Sequence, residues 1–510
     1  MREATSNLWF GIRRAAAIIA LAVCSGLLAP PAGAQVAQVG GDTGVVNVSA
    51  TSGAAESEQP LAVNPRNPYQ LTTVANVFEP NMPPPLDRLF GAGGIDDTRV
   101  YSSQDGGLHW TTRKLDQGGI GPLAAPLPEL EGEAPEFDDA LNVVNTDADS
   151  IWDRHGNAYF ESADIHGVHH GGDEVATVWR STDGGVTWGP PDGYTAVSAA
   201  EEQSELDRPW FAIDNSGGPH DGRLYMTFET TPFAEIPPEV YVKHSDDHGE
   251  TWSPSTRVDD GIYETQFNPR ARPILGSDGT LYVVYDRAPA TTTPFAPQVG
   301  TIQLAFARST DGGQTFEHFI ADQDVHRTSS PDEATPAYTE MIPAIASDPE
   351  HPGRVAVAWP EALDESNSRI MLRYSLDGGE HWSERIDVAN DPASTPDQHD
   401  HVTLAWYGDG RLFVGWRDRR CCGGTFEDPY EQWVRVLEPN SAGELDPGRT
   451  VRFSNGPEPP NESGQGALAP DEFQGLVATR LGVALTWSRL NGELNDLMFR
   501  RVPLAAFHRP

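Results

Sequence analysis

Charged side chains stand immediately before several short apolar runs of the sequence, and their types suit the chemistry of a carboxylated sugar. They are Asp147, Asp149, Asp207, Arg208, Arg270, Arg272, Glu340, Asp397, His399, Asp400, His401, Asp471 and Glu472. An arginine fork binds a carboxylate through two parallel hydrogen bonds, and an acid and a base transfer the protons that glycosidic cleavage needs. Charges at such positions are also found simply solvated or paired with one another. Their chemistry therefore depends on whether the fold brings them together.

The apolar runs themselves repeat and predict the elements that carry these charges. Seven times, two apolar strands are joined by a Gly, Asn or Asp turn, as in "PILGSDGTLYVVYD". The seven hairpins begin near Leu61, Asp149, Trp210, Pro273, Ile342, His401 and Gly475, which are 59 to 88 residues apart. About 60 residues hold four strands and their turns, which is one blade of a β-propeller.

A second repeat lies out of phase with the first and has the pattern Ser-x-Asp-x-Gly-x-x-aromatic. It occurs as "SSQDGGLHW", "RSTDGGVTW", "HSDDHGETW", "RSTDGGQTF" and "YSLDGGEHW". The Asp can accept backbone N–H groups of a tight loop, the Gly can adopt positive φ, and the aromatic ring can fold back onto the sheet. We therefore expect five of the acids to form turns and not to act in catalysis: Asp105, Asp183, Asp247, Asp311 and Asp377.

This motif resembles the Asp-box of sialidase-type β-propellers, and the repeats extend the resemblance over nearly the whole chain after its leader. The resemblance implies that each box closes the hairpin between the two outer strands of a blade, away from the functional face. We predict an all-β fold, a seven-bladed propeller of four-stranded antiparallel blades. The alternative is a six-bladed sialidase-like ring. The last hairpin lacks one strand, and "TGVVNVSA" near Val45 is expected to supply it and close the ring.

The resemblance also implies a set of site residues, since sialidases use an arginine triad, an acid/base aspartate and a tyrosine nucleophile supported by a glutamate. Arg208, Arg272 and Arg417 lie where three blades can contribute arginines, and Tyr338 or Tyr430 can serve as the nucleophile. The predicted catalytic residues are Asp147, Glu340 and Tyr430, and the predicted substrate-binding residues are Arg208, Arg272, Arg417 and His401. The family's Arg-Ile-Pro signature is missing before Ser103, and seven hairpins exceed the six blades usual for sialidases.

Composition limits the range of partners. The formal net charge is −40, and Lys114 and Lys243 are the only lysines, so the field of the protein repels nucleic acid and anionic lipid. "HGVHHGGDE" and "DQHDH" mix imidazole with carboxylate, but neither has a repeating ligand spacing. We predict no metal and no cofactor, a glycan partner, and a monomer.

The N-terminal segment reads as an export signal. Arg13 and Arg14 precede the run "AAAIIALAVCSGLLA", and "AGA" at Ala32 to Ala34 fits a cleavage site. We predict a signal peptide at residues 1–34, a single propeller domain at 35–510, and a secreted protein that does not insert into a membrane. Outside the signal, Cys421 and Cys422 are adjacent, and a bridge between them, two thiols or an intermolecular link are all open.

Three functions fit these features. The first is a secreted glycosidase with a site of arginines and carboxylates. The second is a polysaccharide lyase, in which His169, His170 or His401 takes a proton while an arginine neutralises a uronate carboxylate. The third is a propeller that binds glycan or protein without catalysis, because a fold alone does not fix a function.

Overall fold

The computed structural model describes most of the chain beyond residue 40. The described residues are 41–49, 55–57, 59–78, 95–114, 146–164, 174–202, 204–231, 239–261, 270–287, 300–327, 342–364, 367–389, 398–424, 428–459, 474–491 and 494–508. The chain divides into two units, Met1–Val39 and Gly40–Pro510, and all described residues belong to the second.

The described residues form seven antiparallel sheets, which are the blades. Each blade has four main strands, which follow one another in chain order except in blade 7, where the outermost strand comes from the N-terminal side. Blades 1 to 3 consist of Leu61–Val63 (β3), Leu71–Phe78 (β4), Ile95–Ser103 (β5) and Thr111–Lys114 (β6); Thr146–Trp152 (β7), Ala158–Asp164 (β8), Val175–Ser181 (β9) and Gly189–Ser198 (β10); and Glu205–Ile213 (β11), Leu224–Thr231 (β12), Val240–Ser245 (β13) and Thr256–Arg257 (β14). Blades 4 and 5 consist of Arg272–Leu275 (β15), Leu281–Arg287 (β16), Gly300–Ser309 (β17) and Glu317–Arg327 (β18); and Ala344–Ser347 (β19), Val355–Asp364 (β20), Asn367–Ser375 (β21) and Ile386–Asp387 (β22). Blades 6 and 7 consist of His399–Trp406 (β23), Leu412–Asp418 (β24), Glu431–Pro439 (β25) and Leu445–Arg452 (β26); and Gly475–Thr479 (β27), Gly482–Asn491 (β28), Leu494–Val502 (β29) and Val46–Asn47 (β1). The predicted seven-bladed, all-β propeller is thus confirmed.

Little else is regular in the described ranges. Ala55–Ser57 (β2) adds a short strand to β4 of blade 1. A one-turn helix, Ala199–Glu202 (α1), follows β10, and a 3₁₀ turn spans Leu504–Phe507 near the C-terminus.

The blades close into a ring through their innermost strands. Each of β3, β7, β11, β15, β19, β23 and β27 contacts the innermost strand of the next blade, and β27 contacts β3. Blade 7 is completed from the N-terminal side, because β1 pairs with β29 with Val46 opposite Phe499. Asp42 adds an ion pair to Arg500 at 2.7 Å. The predicted closing strand is confirmed, and it removes the free edge that blade 7 would otherwise present.

The five predicted boxes form the turns between the third and fourth strands of blades 1 to 5. In the second box, Asp183 Oδ1 accepts the backbone N–H groups of Val186 and Thr187 and the hydroxyl of Ser181, and its Oδ2 accepts the hydroxyl of Thr187. These bonds, though opposed by partial burial, lower the pKa of the Asp183 carboxyl. Equivalent bonds to Asp105, Asp247, Asp311 and Asp377 confirm all five acids as turn-formers.

The boxes also pack against the preceding blade. This close packing requires glycine in the turn, because a side chain would collide with the neighbouring blade. Gly379 has φ +95°, and a Cβ there would lie 2.4 Å from the ring of Phe306 in the preceding blade. Trp382 of the same box meets that ring edge-on, with 5.1 Å between centroids. In the third box His248 adopts φ 66° where the other boxes have glycine. In an antiparallel blade, the turn between the third and fourth strands lies at the end where the first strand ends. The innermost strands therefore begin at the opposite end of the ring from the boxes, and we call this end the upper face.

Candidate active site

The centre of the ring holds a cavity of about 160 Å³ that the first residues of five innermost strands line. Its polar lining comes from Arg272 of blade 4, His401 and Thr403 of blade 6, and Gln474 of blade 7. Two of the predicted substrate-binding residues, Arg272 and His401, are therefore brought to one cavity. A cavity of this size would accommodate a few water molecules or part of one sugar ring.

Asp149, on the innermost strand of blade 2, lies in the electrostatic field of the cavity residue Arg272. Burial raises the pKa of the Asp149 carboxyl to about 6, although the positive charge of Arg272 and the N–H groups of Ser150 and Phe211 act in the opposite direction. Those two N–H groups lie 2.7 and 3.2 Å from the carboxylate oxygens. A carboxyl with this pKa is able to donate a proton near neutral pH and to take it back.

Trp210 fixes the guanidinium group of Arg272. The Arg272 Cζ lies 3.6 Å from the centroid of the indole ring, and Trp210 is 2% exposed. A guanidinium stacked on an aromatic face is pre-oriented, so that less side-chain freedom is lost when it binds a planar carboxylate. The sequence placed Trp210 at the start of a hairpin but gave it no role in the site.

Blades 3 and 4 add a second, more deeply buried group of charges around Glu229. Burial, with the nearby negative charge of Asp207, raises the pKa of Glu229 well above its usual value despite Arg208 and Arg270. Its Oε1 accepts the N–H of Ala271 at 2.6 Å, and its Oε2 has no hydrogen-bond partner among the described residues. Glu229 is missing from the sequence-based candidates, although an acid inside the apolar run "LYMTFE" was a usable signal.

Left-handed backbone occurs near the start of three innermost strands. Arg208, Arg270 and His401 have φ values of 50°, 51° and 53°. The pairing of β11 with β12 shifts between Asp207 and Trp210, and that of β23 with β24 shifts between Asp400 and Thr403. Such strain costs about 1–3 kcal/mol per residue and is concentrated at functional sites. The two bulges turn Arg208 and His401 away from the ordinary alternation of a strand.

Asp400 is the centre of the charged cluster of blade 6. Arg417 donates to both of its oxygens, at 2.6 and 2.9 Å, and Arg419 Nη1 donates to Oδ2 at 2.7 Å. Although burial opposes it, these two guanidinium groups hold the pKa of Asp400 well below its usual range. The predicted substrate-binding Arg417 therefore meets a carboxylate of the protein itself.

Tyr430 lies beneath the same arginines. It is fully buried, its hydroxyl donates to the carbonyl of Ser488 at 2.6 Å, and Arg417 stacks over its ring at 5.0 Å. In this arrangement the hydroxyl is committed to the neighbouring blade.

Other predicted residues fall partly or wholly outside the description. Asp147 belongs to β7, but its side chain lies outside the described residues, as do Glu340 and the alternative nucleophile Tyr338. The histidines of "HGVHHGGDE" lie there too. Arg208 is 3.7 Å from Asp207 and acts on Glu229, so it belongs to the blade 3 and 4 group.

Two further features bear on the predictions about cysteine, metals and membranes. Cys421 and Cys422 form a disulfide in the segment after β24, which decides among the three states left open. Among the described residues, Asp377, Glu380 and His381 form an exposed group that could hold a cation, but Arg308 already binds Glu380 and the Asp377 carboxylate contacts His381. No helix within the described ranges has the length and hydrophobicity needed to span a bilayer.

Comparison with known proteins agrees with the repeats. Residues 243–254 match the BNR/Asp-box repeat family. A sialidase of Micromonospora viridifaciens is 27% identical over 304 residues, which cover 57% of this chain and 41% of that protein. Among solved structures, the Hadza microbial sialidase Hz136 is 14% identical with a TM-score of 0.43, and the match covers 72% of this chain and 66% of the Hz136 chain. Trypanosoma rangeli sialidase in complex with the inhibitor DANA is 13% identical with a TM-score of 0.41, and the match covers 88% of this chain and 55% of that sialidase.

The ring of seven blades and the five box turns define the class of the molecule as an Asp-box β-propeller. The repeat match and the sialidase relative support a β-propeller of the sialidase type. The matched region spans less than half the length of that curated relative.

Proposed function

We propose that the protein is a secreted glycoside hydrolase that acts on a glycan carrying a carboxylated sugar at the upper end of the central channel. One observation supports this most directly: the Asp149 carboxyl, with a pKa of about 6, lies in the field of Arg272, which stacks on Trp210 at the cavity. The relative from Micromonospora viridifaciens is named a sialidase, which agrees with a glycan substrate. Secretion follows from the export signal, with cleavage near Ala34.

In this proposal each group of the site has a separate task. Arg272 binds the sugar carboxylate, and Trp210 holds the guanidinium plane in place. Asp149 donates a proton to the glycosidic oxygen as the bond to the anomeric carbon breaks. Arg417 and Arg208 act as positioning residues, since Arg417 fixes Asp400 and Arg208 lies beside Glu229.

A second candidate function is glycan binding without catalysis. The burial and hydrogen bonding of the Tyr430 hydroxyl favour it. Its hydroxyl is buried and bonded to Ser488, and the arginines above it are occupied by Asp400. Because the Tyr430 hydroxyl is engaged in this arrangement, the hydrolase proposal assigns no role to a tyrosine nucleophile.

The experiment compares turnover and binding for a panel of glycans. Purified protein is incubated with sialyl, arabinosyl and glucuronosyl oligosaccharides, and new reducing ends are quantified; affinity is measured by calorimetry. We expect reducing ends from a carboxylated member of the panel and loss of its binding in Arg272→Ala. Arg411→Ala is the matched control, because Arg411 lies in the turn between β23 and β24, at the Asp-box end, and pairs with Asp409. Binding without product would support the second candidate, and equal affinity in Arg272→Ala and the control would refute the assigned site.

A further inference from the structure

His401 is one of the residues that line the channel cavity. Its side chain is 2% exposed, and Nε2 is buried with no hydrogen-bond partner among the described residues. Buried polar atoms are nearly always paired, so an unpaired one on a cavity-lining side chain points to a ligand or water that completes it. Sequence reasoning treated His401 as a substrate-binding residue and, in the lyase alternative, as a base.

Asp400 lies beside the other nitrogen of His401. Nδ1 is 3.1 Å from Asp400 Oδ1 without forming a regular hydrogen bond, and Arg417 and Arg419 hold the pKa of that carboxylate well below its usual range. A carboxylate beside Nδ1 favours the tautomer that carries its proton there, which leaves a lone pair on Nε2. Nε2 is then the nitrogen that can accept a proton.

The backbone at His401 is constrained. His401 has φ 53° in the bulge of β23, and Gln474 Nε2 donates to its carbonyl oxygen. A non-glycine residue in this conformation persists only where its surroundings enforce it.

We propose that His401 is the general base of the site and that the Asp400–His401 pair activates the water that attacks the anomeric carbon. This inference rests on the proposed hydrolase function and adds its second proton-transfer group. Asp149 is in blade 2 and His401 in blade 6, with blades 7 and 1 between them on the shorter way round the ring. The two residues thus belong to innermost strands on different sides of the ring.

The resulting step balances without a covalent intermediate. Asp149 gives its proton to the leaving oxygen, the bond from that oxygen to the anomeric carbon breaks, the water oxygen bonds the carbon from the opposite face, and His401 Nε2 takes the water proton. The product has inverted anomeric configuration. The buried, hydrogen-bonded hydroxyl of Tyr430 agrees with a route that needs no tyrosine nucleophile.

The test uses substrates that separate the acid from the base. An aryl glycoside with a good leaving group, such as a 4-methylumbelliferyl glycoside of the sugar found in the panel, needs little protonation, whereas the natural linkage needs it fully. Asp149→Asn is therefore expected to lose far more kcat on the natural linkage than on the aryl glycoside. His401→Gly is expected to lose roughly 10²–10⁴-fold in kcat on both, because both require activated water.

His401→Gly is chosen because glycine adopts φ 53° without strain, and added imidazole can enter the space left by the side chain. We expect imidazole to restore activity to His401→Gly and not to Asp149→Asn. His401→Asn, which also tolerates this backbone conformation, serves as a second variant. His155→Ala, an exposed histidine at the Asp-box end, is the control and is expected to keep full activity.

Proton NMR of the first product formed by the wild-type protein reports the anomer directly. Inversion, together with imidazole rescue, supports the proposal. Retention, an unsaturated product of elimination, or full kcat in His401→Gly overturns it while leaving a glycan-processing site. Absence of any product from the wild-type protein overturns the proposed function itself, and this inference with it.

Discussion

Replacing Asp149 by Asn should stabilise the folded protein relative to wild type, and the free energy of unfolding gained should increase as pH rises from about 4 to about 7. Burial raises the pKa of this carboxyl from 3.8 to about 6 in the folded protein. As pH rises between these values, the unfolded chain releases the proton while the folded protein keeps it, so folding becomes less favourable. Each unit of pKa difference between the folded and unfolded states corresponds to about 1.4 kcal/mol. The ionisation of Asp149 therefore lowers the free energy of unfolding by up to about 3 kcal/mol by neutral pH. Asp149→Asn removes that loss.

The assay is chemical denaturation of both proteins from about pH 4 to about pH 7. We expect the free energy of unfolding of Asp149→Asn to rise relative to wild type by up to about 3 kcal/mol over this range. The change with pH is the informative quantity, since any constant cost of altering the bonds from Ser150 and Phe211 cancels. Asp311→Asn is the control: the bonds of its turn lower the pKa of Asp311 to about 2, so both states stay ionised over most of the range and the difference should stay nearly flat. A difference that is flat for Asp149→Asn as well, or one that favours wild type as pH rises, would refute the reasoning.

Three further outcomes follow from the contacts described above. Asp183→Ala should lower the free energy of unfolding by about 0.5–1.5 kcal/mol, measured by denaturation, because the exposed and partly buried donors of the turn lose their acceptor; an unchanged value would contradict the turn's role. Tyr430→Phe should cost about 1 kcal/mol through loss of the bond to Ser488 and leave kcat within twofold, whereas a large loss of kcat would restore the tyrosine as a nucleophile. Arg417→Ala should destabilise by about 3–5 kcal/mol, seen as a lower thermal midpoint, because it removes a partner of the buried Asp400 charge; a neutral effect would contradict that pairing.

The propeller fold could be predicted from the sequence because the motifs that specify it are formed by residues close to one another in the chain. Each box turn is built from groups within a few residues of Asp183 or its equivalents, so the motif alone specifies the hydrogen bonds. The spacing of the hairpins then counts the blades, and the unpaired last hairpin indicates the closing strand near Val45.

The site was accessible only in part, because its geometry depends on bulges and on contacts between blades. The candidate charges at the strand starts include Asp147 and Asp149, but no pattern in the sequence announces the register shift between Thr146 and Asp149. The environment of Tyr430 depends on Ser488, which is 58 residues away in the next blade. Glu229 was missed because its partner Ala271 belongs to blade 4.

A crystal structure of Asp149→Asn with a carboxylated oligosaccharide from the panel would show where the glycan binds. We expect the sugar carboxylate on the Arg272 guanidinium, the glycosidic oxygen beside residue 149, and His401 Nε2 facing the anomeric carbon through a water molecule. A glycan bound instead at the Asp-box end of the ring, or in the channel without contact to Arg272, would contradict this expectation.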